Sequence, residues 1–153
     1  MGYAVVKDNI IQYMAKTEKS NSVEIENKYV INNNIIDCLQ YKAIEILKDK
    51  ANDMYKKYTQ KYPEVEVKSF NYKAQEATLY MKNKQAGVTT NLEATPYLSA
   101  LTNNDITARN ALAEAVYAKI QEYAGIERYG MSMRDKIKSL TTIQDLQELI
   151  ESL

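Results

Sequence analysis

The sequence predicts a mainly α fold in which long antiparallel helices and short helices follow a small N-terminal antiparallel β-hairpin or three-stranded β element. Three observations carry that expectation. Only four Gly and two Pro punctuate 153 residues, too few turn residues for an all-β chain. From Asn33 onward apolar residues recur at three-to-four spacing, the period of one helix face. Before that point the apolar residues run in β-prone pairs or alternate with charge. The length fits one compact domain with room for a small appendage. We therefore expect a β element over 1–32 and a helical domain over 33–153.

Each element has its own signal. Tyr3-Ala4-Val5-Val6 and Ile10, Ile11 and Tyr13 flank Lys7-Asp8-Asn9, two β-prone runs around a turn-prone tripeptide, which reads as a hairpin. Ser22-Val23-Glu24-Ile25-Glu26 alternates with period two, as a half-buried third strand does. A sheet this small has to cover its apolar face, so a helix is expected against it. Ile36, Leu39, Ala43, Ile46 or Leu47, Lys50, Met54 and Tyr58 then mark a helix from about Asn34 to Gln60, capped by Asn33 or Asn34 and ended by Pro63. Its other face, with Lys42, Glu45, Asp49, Asp53, Lys56 and Lys57, reads as solvated, with Glu45–Lys48 or Asp49–Lys56 pairs.

A second helix is expected over about Asn71–Lys84, with Ala74, Ala77, Tyr80 and Met81 inward, Ser69 or Asn71 as cap and Phe70 as a staple. Gln85 to Glu93 has no helical period and reads as the most mobile loop. Thr95-Pro96 is a helix-start signal for a short helix carrying Leu98 and Leu101. After Asn103-Asn104-Asp105, a stripe through Leu112, Ala115, Val116, Ile120, Tyr123, Met133, Ile137 and Leu140 favours one bent helix over 107–140 rather than two. Gly125 and Gly130 interrupt it, so continuity demands compensating packing or a close helix crossing. Thr141-Thr142 precede Ile143, Leu146, Leu149 and Ile150, with Gln144 or Asp145 placed to complete a capping box.

Composition excludes most catalytic templates. There is no His and one Cys, which removes Ser-His-Asp and Cys-His catalysis, histidine and Cys-rich metal sites and any intrachain disulfide. Cys38, among Ile35, Ile36 and Leu39, reads as a buried thiol. No P-loop, dinucleotide fingerprint or calcium loop occurs. Glu24 and Glu26 share a strand face but read as solubilising carboxylates. Lys plus Arg and Asp plus Glu both number 20, so no global field draws the chain to nucleic acid or membrane. No apolar run reaches membrane-spanning length and no secretory signal is evident, which predicts a soluble chain made in a cytoplasm. The expectation is a protein without catalytic, cofactor or metal site.

Thirteen Tyr stand against one Phe and no Trp. AT-rich coding produces such a bias, with tyrosines as core aromatics whose hydroxyls reach the surface. The sharper reading is a partner surface at Tyr55, Tyr58, Tyr62, Phe70, Tyr72 and Tyr80. With Lys56, Lys57, Lys61, Lys68 and Lys73 interleaved, bases would stack on rings while lysines contact phosphates, giving a small nucleic-acid-binding regulator that uses segment 55–84. Residues 41–84 hold ten basic and six acidic residues, net +4, and residues 92–153 six basic and nine acidic, net −3. That asymmetry suits helices packed on one another or on a neighbouring subunit better than it suits nucleic acid.

An ordered set of residues carries a resemblance. The helix from Lys42 to Tyr58, Tyr62-Pro63 with Glu66, Ser69-Phe70, Glu76-Ala77 with Tyr80, and Thr95-Pro96 with Leu98 and Leu101 follow one another in a familiar order. Asp135, Ile137 and Thr141-Thr142 with Leu146 extend it across about residues 38 to 150. This set resembles an uncharacterised tailed-bacteriophage domain family encoded beside tail-fibre genes, whose members are labelled tail-fibre or tail-fibre assembly proteins. The chain departs from the pattern at Lys73, at Asn104-Asp105 and at Gly130-Met131. The resemblance implies a non-enzymatic bacteriophage or prophage tail protein, either a structural component of tail fibre or baseplate or an assembly chaperone. Its partners would be a tail-fibre or baseplate subunit and further copies of itself, a trimer being the specific expectation. It would be found in the virion tail or in the cytoplasm of the bacterial host during assembly.

Overall fold

The computed structural model describes residues 1–153. Strands β1 (Gly2–Lys7), β2 (Ile10–Ala15) and β3 (Ser22–Ile25) come first, followed by a 3-10 turn at Asn27–Tyr29. The helices are α1 (Ile35–Thr59), α2 (Glu64–Lys68), α3 (Phe70–Gln85), α4 (Pro96–Leu101), α5 (Ile106–Ser139) and α6 (Ile143–Ser152), with a second 3-10 turn at Leu92–Ala94. The fold is thus mainly α with a three-stranded antiparallel sheet, as the periodicities predict. Packing, however, divides the chain into residues 1–53 with 128–153 and residues 54–127, not at residue 32. The reason is that a sheet of three short strands has no core of its own and shares that of the helices covering it.

In the first unit the sheet order is β2-β1-β3. Lys7 pairs with Ile10 across a two-residue turn. Asp8 and Asn9 sit there at φ 52° and 63°, the left-handed pair that a tight hairpin requires and that Asp and Asn tolerate. Ala4, Val23 and Ile25 face inward onto Ile35, Cys38, Leu39, Ala43 and Leu47 of α1, Ile137 of α5 and Leu146 and Leu149 of α6. Each large aliphatic side chain buried there contributes about 1.5–3 kcal/mol. Asn34 caps α1, its Oδ1 accepting from the N–H groups of Ile36 at 2.9 Å and Asp37 at 3.2 Å. Gln40 donates to the carbonyl of Leu140 at 3.0 Å and Lys50 to the main-chain oxygen of Leu153 at 3.0 Å, so α1 runs parallel to the C-terminal segment 140–153. Thr142 caps α6 by accepting from Asp145 N–H. Cys38 is fully buried.

The second unit holds the end of α1, α2 to α4 and the start of α5. Its core is thinner: Ala77, Tyr80, Leu98, Ala113 and Val116, flanked by Phe70, Met81, Leu112 and Tyr117. Asp105 starts α5, its carboxylate accepting from Ala108 N–H at 2.7 Å. Lys84 pairs with Glu114 and Phe70 meets Tyr123, which makes α3 antiparallel to α5.

Several local expectations need correction. α5 is one helix through both glycines, yet neither compensating packing nor a close crossing explains them. Nothing lies within 4 Å of a Cβ built at Gly125 or Gly130, so the helix simply bears their cost. Pro63 does not end α1, which closes at Thr59; Pro63 instead opens α2, whose first turn carries Glu64 and Glu66. Proline followed by acidic residues is a helix-start signal as well as a stop. Ser69 precedes α3 without capping it through its side chain, because its hydroxyl donates back to the carbonyl of Glu66. The expected Asp49–Lys56 pair does not form, whereas Glu45–Lys48 does at 2.6 Å.

Candidate functional site

Two networks shape the second unit. Thr95 stands at the start of α4 with Pro96 after it, but its hydroxyl makes no capping bond. The free N–H groups of Tyr97 and Leu98 are taken by the carboxylate of Glu76 on α3, at 2.9 and 2.8 Å. A charged acceptor at a helix N-terminus does this better than a hydroxyl. Thr95 is thereby released to accept from Arg109 at 2.6 Å.

Arg109 is 1% exposed. One terminal nitrogen also donates to the carbonyl of Asn91 at 2.9 Å, the other to that of Thr89 at 2.9 Å, and Nε to Asn110 at 2.9 Å. The guanidinium lies 5.2 Å from the ring centre of Tyr80. Ser99 spends its proton on the carbonyl of Leu92, so Thr95 donates to Ser99 across their 3.2 Å contact. The segment expected to be most mobile is thus pinned near its end by a buried cation.

The second arrangement gathers rings. Tyr123 of α5 is the hub: Tyr55 lies 6.0 Å away, Tyr58 5.2 Å and Phe70 5.1 Å, the last two edge to face, the favoured geometry for aromatic quadrupoles. Burial, with the Tyr55, Tyr62 and Glu122 charges, holds the Tyr123 phenol above the usual 10.0. Tyr62 stands beside this group with Lys119 Nζ 3.6 Å from its ring centre. Of the six side chains expected to form a partner surface, the structure gathers Tyr55, Tyr58 and Phe70 on Tyr123 and sets Tyr62 beside them. Tyr72 is 66% exposed and pairs instead with Tyr97 at 6.3 Å. Tyr80 has to be withdrawn from the surface: it is 3% exposed and covered by Arg109.

Hollows border the cluster. One, of about 80 Å³, is lined by Tyr62, Val67, Phe70, Lys73, Lys119 and Tyr123, with Glu66, Leu112 and Val116 completing it. An open groove of about 590 Å³ runs past Phe70, Ala74, Thr78, Ile120, Tyr123 and Ala124. A third hollow, along Tyr55, Asn71 and Ile126, again shares Phe70 and Tyr123. Lys73 and Lys119 are half-buried and belong to none of the ion pairs, which join Lys42–Glu26, Lys48–Glu45, Lys68–Glu64 and Lys84–Glu114.

Tyr123, Lys119, Arg109 and Glu76 were not singled out as site residues by sequence. A signal existed for Arg109, because it falls three and seven positions before Leu112 and Val116, on the apolar stripe itself. Tyr123 was legible only as one more stripe residue, and nothing local marks it as a hub.

No three His, Cys, Asp or Glu side chains come together as a metal site, and no helix is long and apolar enough to cross a membrane. No family model, curated protein or solved structure matches the chain.

Proposed function

We propose that this chain is a non-enzymatic tail protein of a bacteriophage or prophage, acting by helix-mediated association as a structural part of fibre or baseplate or as a factor in fibre assembly. The tail assignment rests on the ordered resemblance over residues 38 to 150. The observation that carries association as the mode of action is the ring cluster on Tyr123, bordered by open apolar hollows that the unit's own small core does not fill. Exposed apolar surface of this kind stabilises a complex when a partner covers it.

The nucleic-acid reading has less support, because base stacking needs free ring faces. Tyr58 and Phe70 each pack edge to face with Tyr123, Tyr62 holds Lys119 and Tyr80 holds Arg109.

Mass spectrometry of intact particles, together with fibre folding in the absence of the chain, tests the proposal. Presence in particles supports the structural role. Absence from particles with misfolded fibres supports the assembly role, and normal fibres with no particle-bound chain overturn both. Sedimentation at micromolar concentration tests the expected trimer, which a monomer refutes.

A further inference from the structure

We infer that the hollow bounded by Tyr62, Phe70, Lys73, Lys119 and Tyr123 docks an acidic segment of a partner protein, a large apolar side chain entering the hollow while a neighbouring Asp or Glu meets the two lysines. This deepens the association reading above, on which it rests, and names the chemistry of the partner.

The lining specifies such an occupant. A volume of about 80 Å³ accepts the end of one side chain, and its walls are aromatic rings with Val67, Leu112 and Val116. Lys73 and Lys119, both half-buried residues, also line it, and neither has a carboxylate within 4 Å. The only acidic residue of the lining, Glu66, is exposed. Lys119 sits 3.6 Å from the Tyr62 ring centre, which positions the ammonium without neutralising its charge. A carboxylate brought there gains two unpaired cations, and electrostatic complementarity of this kind selects partners.

The occupant extends beyond a small anion, because Phe70 and Tyr123 also wall the 590 Å³ apolar groove. A second copy of this chain is a poorer fit: Leu146 and Leu149 of its acidic helix α6 are already buried, and its acidic segment Glu64-Val65-Glu66 includes Glu66 of the hollow's own lining.

The test is selection of a random library of peptides of about 12 residues against the full chain, followed by titration of the synthetic consensus peptide. The expected consensus places Asp or Glu within two positions of an aromatic or large aliphatic residue. Its affinity should fall about tenfold or more in K73Q/K119Q and weaken as salt rises from about 50 to about 300 mM. Lys68 is exposed and outside the hollow, so K68Q should bind like the parent. K73R/K119R, which keeps both charges, should retain most of the affinity, and circular dichroism checks that each variant is folded.

No enriched peptide, a consensus without acidic residues, equal binding by folded K73Q/K119Q, or displacement of the peptide by oligo(dT) would each overturn the inference. A neutral consensus that binds elsewhere leaves the association reading intact while removing this site. The particle experiment addresses the tail assignment separately.

Discussion

Arg109→Met is the substitution that most directly probes how the second unit is held. The native guanidinium donates four hydrogen bonds, to Asn91 and Thr89 carbonyls, Thr95 Oγ1 and Asn110 Oδ1, and none of its partners is a carboxylate. Hydrogen bonds from a charged donor contribute about 1.5–3 kcal/mol each. Against them stands the several kcal/mol that desolvating an unpaired cation costs. Methionine recovers much of the packing and removes that desolvation cost, but it leaves the carbonyls of Thr89 and Asn91 and the Thr95 hydroxyl without their donor. Because Asn91 is exposed and Thr89 half-buried, water recovers part of the loss, and the net destabilisation should be about 2–4 kcal/mol. Arg109→Lys should fall between, since an ammonium cannot reproduce the fork that reaches three separated acceptors. Urea unfolding followed by circular dichroism gives the magnitude. Limited trypsin digestion gives the location, because cleavage after Lys84 should accelerate once the segment 85–95 is no longer pinned. Unchanged stability, or stability lost without faster cleavage there, would refute the account of Arg109 as the pin of this segment.

Three further outcomes follow from particular contacts. Glu76→Ala removes the acceptor for the first two N–H groups of α4 and should cost about 1–2 kcal/mol in chemical denaturation, with Glu76→Gln costing less. Gly125→Ala and Gly130→Ala enter open space in an unbroken helix, so each should stabilise by up to about 1 kcal/mol, read as a higher urea midpoint. Tyr123 titrates above its ordinary 10.0. The folded state therefore holds the phenolic proton more tightly than the unfolded chain, and the stability linked to this group is fully present below pH 10.0. It is lost as pH rises through the folded value, so ultraviolet titration should show one late tyrosine that Tyr123→Phe removes.

Much of the fold was legible because its causes are local. The hairpin turn at Asp8-Asn9, the Asn34 cap, the Asp105 start of α5 and the Thr142 cap each depend on residues within a few positions of one another. So does the apolar period that made α5 one helix. The site was legible only in part: Tyr55, Tyr58, Tyr62 and Phe70 lie close along the chain, but the side chains that organise them, Tyr123 and Lys119, come from a helix some fifty residues later. Tyr80 shows the same limit from the other side, since its ring is exposed or covered depending on where Arg109 falls.

By itself, then, the sequence determined the classes and approximate spans of the strands and of every helix but α2, and ruled out histidine chemistry and an intrachain disulfide. Those follow from backbone sterics, periodicity and residue inventory. The tertiary structure alone decided that the packing units combine distant segments and that Glu76 rather than Thr95 caps α4. It also decided that an arginine is buried and that two lysines remain unpaired beside a ring cluster. Each of these depends on which side chains meet after burial of apolar surface brings separate helices together, and burial is blind to sequence separation.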